Sequence, residues 1–224
     1  MILTITASPT IDVTYKINSV NLQKINRVNS TSVEASGKGI NVSSALADQN
    51  IKTEAIVAVP NSSIARGVGA KIAIDTSGSA LKHAISLAPD FIKPNLDELI
   101  EINPEIADNS QAIKDYVVAL SMQINGVVLC TNGGEVGYAS NTIDLLEVTP
   151  LVINGANSVG AGDAAVAGYL AGETSGSDFA SAVKTAMSWA SAACQNKKTS
   201  GLNNQPVFKE GAKIRSITPS NLSA

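Results

Sequence analysis

The run Asn157-Ser-Val-Gly-Ala-Gly-Asp-Ala-Ala-Val166 holds the residues of this chain best placed to do chemistry. Gly160, Ala161 and Gly162 stand directly before a carboxylate, Asp163, and an apolar, helix-forming run from Ala164 to Ala171 follows. A helix starting here aims unpaired backbone N–H groups and its positive dipole end at one point, which makes an anion site. Small side chains let a phosphate come close to that backbone. An acid beside an anion site is electrostatically awkward unless it has a task. The task that fits Asp163 is accepting a proton from a hydroxyl that attacks a phosphoryl group. The competing reading is close helix–strand packing, for which small residues also serve.

Three further stretches carry polar groups at telling positions. In Glu34-Ala-Ser-Gly-Lys-Gly-Ile-Asn41, Gly37 and Gly39 free the backbone around Lys38, and Asn41 projects one turn into a helix. This is not a Walker A loop, because Ser32 occupies the first glycine position and Gly39 follows the lysine where Ser or Thr is required. What remains is a lysine and amides facing a polar, anionic small molecule. In Phe91-Ile-Lys-Pro-Asn95-Leu-Asp-Glu98, Pro94 disfavours helix at Lys93, so a strand ends there. Asn95 and Glu98 then have the spacing of a capping box. They also have the chemistry to organise water around a magnesium–phosphate complex at a strand's carboxyl end. The two readings are compatible. Finally, Ala7-Ser-Pro-Thr-Ile-Asp12 closes the first strand and delivers Asp12, either a turn former or an acceptor for sugar hydroxyls.

These residues need a scaffold that brings distant segments to one edge. Ile2–Ala7, Glu54–Val59, Lys71–Asp75, Asp90–Lys93 and Gly126–Cys130 read as strands, several almost wholly apolar, as expected when both sheet faces are covered. Helical patterns fall at Gly39–Gln49, Ser79–Leu87, Leu96–Glu101, Ser110–Ile124, Gly162–Ala171 and Ser177–Gln195. The alternation predicts an α/β fold, a doubly wound, mostly parallel sheet with helices on both faces. Val13–Val20 and Arg27–Ala35 instead alternate polar and apolar residues, which predicts a solvent-facing antiparallel flap. Gly133–Thr149 has the pattern of a second antiparallel excursion, and the segment after Asn196 reads as polar loop with one short terminal element.

Composition bounds the partners. With 224 residues the chain has room for one sizeable core, read here as a single domain over 1–224 with the flap, about 13–35, inserted in it. A net charge of −3 argues against nucleic acid or an anionic membrane as the main partner. No apolar run approaches the roughly 18–20 residues a bilayer requires. The opening Met1-Ile-Leu-Thr-Ile-Thr lacks the basic start of a signal peptide. Cys130 and Cys194 lie far apart, without metal-type spacing, and read as reduced thiols of a cytoplasmic protein. His83 is the only histidine, which removes a histidine-based triad or zinc site and leaves a surface residue on a helix.

Taken in order, these stretches resemble the ribokinase-like (pfkB) carbohydrate kinases, in particular the branch of 1-phosphofructokinase and tagatose-6-phosphate kinase. Ile2 to Asp12 is similar to that branch's opening, and Ser36-Gly-Lys-Gly-Ile-Asn41 to its Gly-Gly-Lys-Gly substrate motif. Lys93-Pro-Asn95-Leu-Asp-Glu98 is similar to the Asn-x-x-Glu element, and Ser158 to Asp163 to the family's most specific signature. The resemblance implies ATP- and Mg2+-dependent phosphorylation of a sugar phosphate, fructose 1-phosphate first and tagatose 6-phosphate next. It implies Asp163 as the base and the amides of Gly160, Ala161 and Gly162 as the cradle of the transferring phosphoryl group. Asp12, Gly37, Lys38, Gly39 and Asn41 would bind the sugar phosphate. Lys93, Asn95 and Glu98 would serve Mg-ATP, without a protein ligand held directly on the metal. Cys130-Thr-Asn-Gly-Gly-Glu135 is similar to the family's nucleotide loop and would place Thr131 and Gly133 near ATP.

The chain also departs from that pattern. Family members run to about 300 residues, so a piece of about 80–90 is missing, with its seam around Pro60-Asn-Ser-Ser-Ile-Ala-Arg-Gly67. The missing piece implies lost inner strands and half a flap, leaving edges that a neighbouring subunit, as in a homodimer, would cover. Ser8 replaces an Asn, Ser36 a Gly, and Val136 falls where the nucleotide loop has Gly, a change that would remodel a turn needing positive φ. Three readings follow: a working kinase on a shortened scaffold, a non-catalytic binder of nucleotide or sugar phosphate, or a deletion product. A Rossmann oxidoreductase is the alternative of another class. It fits poorly, since no glycine follows the first strand and Gly-Ala-Gly lies late in the chain.

Overall fold

The computed structural model describes residues 2–6, 10–19, 26, 28–56, 71–107, 109–151, 153, 158–195, 202 and 211–218. Strand β1 (Ile2–Ile5) pairs in parallel with β4 (Thr53–Ile56), with Ile2 opposite Thr53. Parallel neighbours need a crossover, supplied here by helix α1 (Lys38–Asp48), which buries Val42, Ala45 and Leu46 along one stripe. Between β1 and α1 the chain makes the flap: β2 (Thr10–Lys16) and β3 (Ser30–Ser36) pair antiparallel, Val13 opposite Val33. Val13, Tyr15 and Val33 are exposed. The flap strands begin and end a few residues from the alternation read in the sequence, and the turn at 20–25 lies outside the described residues, as do Ser8, the seam at 60–67 and most of the segment after Asn196.

The second sheet has six strands in the order β10–β9–β8–β7–β6–β5. Here β5 is Ala73–Ile74, β6 Phe91–Ile92, β7 Val127–Cys130, β8 Gly137–Ser140, β9 Leu145–Thr149 and β10 Lys213–Ile217. Its first half, β5–β6–β7, is parallel and its second half antiparallel. The segment 133–149 is therefore no separate excursion: its two strands continue the main sheet. Helices α2 (Gly78–Ser86), α3 (Leu96–Ile102) and α4 (Ser110–Ile124) follow β5 and β6 in the crossovers of the parallel half. Helices α5 (Ala161–Thr174) and α6 (Phe179–Cys194) come after β9.

Successive residues of a strand point to opposite faces, and here both faces are covered. Phe91, Leu129, Ala139 and Leu146 join a core with α1, α5 and α6. Their chain neighbours Ile92, Val128, Cys130, Tyr138 and Leu145 join another with α2, α3 and α4. This is the doubly wound arrangement predicted from the apolar strands. Ile2, Val42 and Leu46 belong to the first core, so β1 and α1 share it with the six-stranded sheet. Helix α5 lies deepest: every residue from Ala164 to Tyr169 is buried, as expected of a helix without a polar face. It packs close on α6. A methyl added at Gly168 would stand 2.9 Å from Ala186 Cα, and one at Gly172 2.9 Å from Ala182 Cα. Asp163 thus stands on the first turn of a helix gripped along its length.

Candidate active site

Three parallel strands deliver polar residues to one edge. Ile74 is in register with Ile92, so the next residues, Asp75 and Lys93, emerge side by side. Thr131 follows β7 and is tied to the strand end after Lys93: it bridges to Asn95, accepts from Leu96 N at 2.8 Å and donates to Pro94 O at 3.1 Å. Pro94 stops the ladder and Asn95 starts α3. Both bonds of the capping box are present, Glu98 N to Asn95 Oδ1 at 2.8 Å and Asn95 N to Glu98 Oε2 at 2.9 Å. Beyond Thr131, Asn132 to Glu135 form a turn in which Gly133 has φ 53°. Val136 is not among the residues of positive φ, so the β-branched side chain causes no strain there and Gly133 takes the left-handed conformation instead.

The other side of the site comes from α1 and α5. Gly37, at φ 128° and ψ 144°, makes the turn from β3 into α1, a conformation in which a Cβ is disfavoured. Lys38 opens the helix and reaches Asp75 Oδ1 at 2.8 Å. Gly39 is buried beneath it, and Asn41 lies one turn in. Gly160 caps α5 at φ 80°, with no side chain closing the helix end. Ala161 spends its N–H on Ser158 O at 3.2 Å. The N–H groups of Gly162 and Asp163, in the first turn, have no acceptor within the helix.

At the centre, Asn41 Nδ2 donates to Asp163 Oδ2 at 2.8 Å, across 122 residues of sequence. Lys93 is 5% exposed, its Nζ 3.6 Å from Asp75 Oδ1. A methyl on Gly162 would meet that ammonium at 3.2 Å, so the cation lies against the start of α5. Burial pushes the Asp163 carboxyl up from 3.8 to about 6. The Asn41 hydrogen bond opposes this, Asp75 reinforces it, and Lys38 and Lys93 pull it back. A carboxylate of this kind is ionised at neutral pH yet basic enough to take a proton.

The structure brings Asp163, Gly162, Asn41, Lys38 and Lys93 together, with Asn95, Glu98 and Thr131 along the same strand edge. Asp12 stands in β2 opposite Glu34, and among the described residues no hydrogen bond or ion pair joins it to that group. Asp75 was missed in the sequence. Its signal was available: an acid at the end of an apolar strand and just before Thr76-Ser77-Gly78, level with Lys93 once the strands pair. Cys130 is buried, which pushes its thiol up to about 12 and keeps it protonated at neutral pH. Among the described residues no helix is long and apolar enough to cross a membrane.

Residues 64–205, more than half of the chain, match the family described as pfkB family carbohydrate kinase. The chain belongs to this family. It is 37% identical over 133 residues to the 1-phosphofructokinase of Rhodobacter capsulatus, a match covering 55% of this chain and 39% of that relative's length. It is 24% identical to a tagatose-6-phosphate kinase of Staphylococcus epidermidis, over 77% of this chain and 85% of the relative. That alignment runs over 266 positions, more than the 224 residues present here, so the relative carries internal residues that this chain lacks. In three dimensions the chain resembles phosphofructokinase-2 from Escherichia coli, with TM-score 0.79 and 16% identity, over 91% of this chain and 96% of that one. Family and fold together leave no place for the Rossmann oxidoreductase.

Proposed function

We propose that this chain transfers a phosphoryl group from ATP to the hydroxyl of a sugar phosphate, with fructose 1-phosphate as the first candidate and tagatose 6-phosphate as the second. The observation that carries this reading is the half-buried Asp163 carboxylate, held by Asn41, at the open end of α5 with the Lys93 ammonium alongside. Asp163 takes the proton of the attacking hydroxyl as the new bond forms. Lys93 and the N–H groups of Gly162 and Asp163 face the charge that builds on the phosphoryl oxygens, with Gly160 and Ala161 shaping the turn. Lys38, Asn41, the glycines 37 and 39 and, from the flap, Asp12 receive the sugar phosphate. Lys38 must leave Asp75 to do so, and its half-exposed side chain has the freedom. ATP lies along Asn95, Glu98, Thr131 and Gly133. Asn95 and Glu98 would hold its Mg2+ through water, with Glu98 Oε1 outside the capping box, and the ion would supply charge neutralisation of the phosphates.

A single domain, a cytoplasmic setting and a homodimer complete the proposal. The exposed Val13, Tyr15 and Val33 of the flap support the homodimer. The internal gap against tagatose-6-phosphate kinase favours a second reading, a binder that no longer turns over. An ADP-release assay across ketose phosphates, with Asp163→Asn beside the parent, separates the two. Turnover that collapses in the variant supports the kinase. ATP-dependent thermal stabilisation without turnover supports the binder, and the absence of both refutes each.

A further inference from the structure

We propose that Asn41 is the positioning residue of Asp163, and that Ser36, at the root of the flap, holds the Asn41 amide in the orientation this requires. The inference deepens the kinase reading and rests on it. Asn41 is 7% exposed and stands one turn into α1, facing the first turn of α5. Its Nδ2 donates to Asp163 Oδ2 at 2.8 Å, and its Oδ1 faces the Ser36 hydroxyl at 3.4 Å. Ser36 is itself buried and is the last residue of β3.

The polarity of this row is fixed by chemistry. An ionised carboxylate only accepts, so the amide must present its NH2 to Asp163 and its oxygen to the hydroxyl. Rotating the amide by half a turn would set its carbonyl oxygen against the carboxylate, a repulsive contact in a buried site. The row also pins one carboxylate oxygen. Asn41 engages Oδ2, which leaves Oδ1 as the oxygen without a side-chain donor among the described residues and so the better acceptor for an incoming hydroxyl. The second Nδ2 proton can meet the same sugar, so substrate binding and aim of the base pass through one side chain. The other charges reaching Asp163 are Asp75 beyond β5, Lys93 beyond β6 and Lys38 on α1. None of them hydrogen-bonds to it.

Ser36 stands where the motif this stretch resembles has glycine, and a glycine has no hydroxyl to offer. The flap therefore touches the base through two side chains, and a displacement of β3 at Gly37 would be felt at Asp163.

The test is a carbon-13 NMR titration of the Asp163 carboxyl in the intact chain, for the parent, Asn41→Leu and Ser36→Ala. Asn41→Leu keeps the shape and removes the donor, and should raise the titration midpoint by about one pH unit, since a hydrogen bond to the charged form favours it. Ser36→Ala should raise it by a smaller step in the same direction. A midpoint unchanged in Asn41→Leu overturns the positioning role, and one unchanged in Ser36→Ala alone overturns the part assigned to the flap. Should Asn41→Leu fail to fold, Asn41→Ser, which shortens the side chain beyond reach, serves the same comparison. Turnover is recorded separately: a parent that phosphorylates no ketose phosphate refutes the kinase, while the titration still decides the positioning.

Discussion

Replacing Asp163 by asparagine should stabilise the protein while abolishing its chemistry, and the size of the gain follows from the site. The carboxyl is lifted from 3.8 to about 6, with burial the largest cause. The folded chain therefore binds this proton more tightly than the unfolded chain does. Above pH 6 the group is ionised in both states, and the folded state carries the whole cost of the buried charge. Below pH 4 it is neutral in both, and the cost disappears. A gap of about two pH units at 1.36 kcal/mol each gives about 3 kcal/mol. An asparagine is neutral throughout and still accepts from Asn41 Nδ2, so it avoids that cost. At pH 7.5 Asp163→Asn should be about 3 kcal/mol more stable to urea, or about 6–12 °C in Tm for a chain of this size. The advantage should shrink to under about 1 kcal/mol by pH 4. Phosphate transfer should fall by about 10²–10⁴-fold with loss of the base. Urea melts of both proteins between pH 4 and pH 8 measure this. A variant less stable than the parent at pH 7.5, or a difference that does not vary with pH, would refute the argument.

Asp75→Asn removes the counter-ion of the buried Lys93 ammonium and one partner of Lys38. It should cost about 3 kcal/mol in urea melts, as breaking a buried pair does, whereas a loss below about 1 kcal/mol would show that Lys93 is solvated by other means. Gly168→Ala forces a methyl to 2.9 Å from Ala186 Cα and Thr185 O. Both obstacles are backbone, so a loss of about 1–3 kcal/mol and a lower Tm are expected. Glu98→Gln keeps the capping box, because glutamine serves at that position, and stability should change by less than about 0.5 kcal/mol. The Mg2+ concentration needed for half-maximal ADP release should rise. An unchanged Mg2+ dependence would leave Glu98 with its capping role alone.

Much of the site was legible because each part is a local device. The small residues before Asp163 mark a helix start open to an anion. Pro94 before Asn95 marks a strand end followed by a cap, and the cap is formed as its spacing implied. The unbroken apolar strands declared two-sided burial, and the alternation in the flap declared an antiparallel pair facing solvent, on which Val13, Tyr15 and Val33 stay exposed. Other features were hidden because they depend on pairs far apart in the chain. The strand-end acid Asp75 could be noticed, but not its partners: Lys93 comes beside it through the parallel register of β5 and β6, and Lys38 reaches it from α1. Val136 shows the opposite case, where a substitution expected to remodel a turn stands at a position without positive φ.

The residue types and their order sufficed for the α/β class, the helix start after Gly160 and the acid on its first turn, because propensity, capping and charge act over a few neighbouring residues. Only the tertiary structure decided which groups hold that acid. Packing α1 against α5 brings Asn41 to 2.8 Å from Asp163, and burying the pair shifts the carboxyl toward neutrality. Burial and contact over 122 residues of chain are properties of the packed core, and no local pattern encodes them.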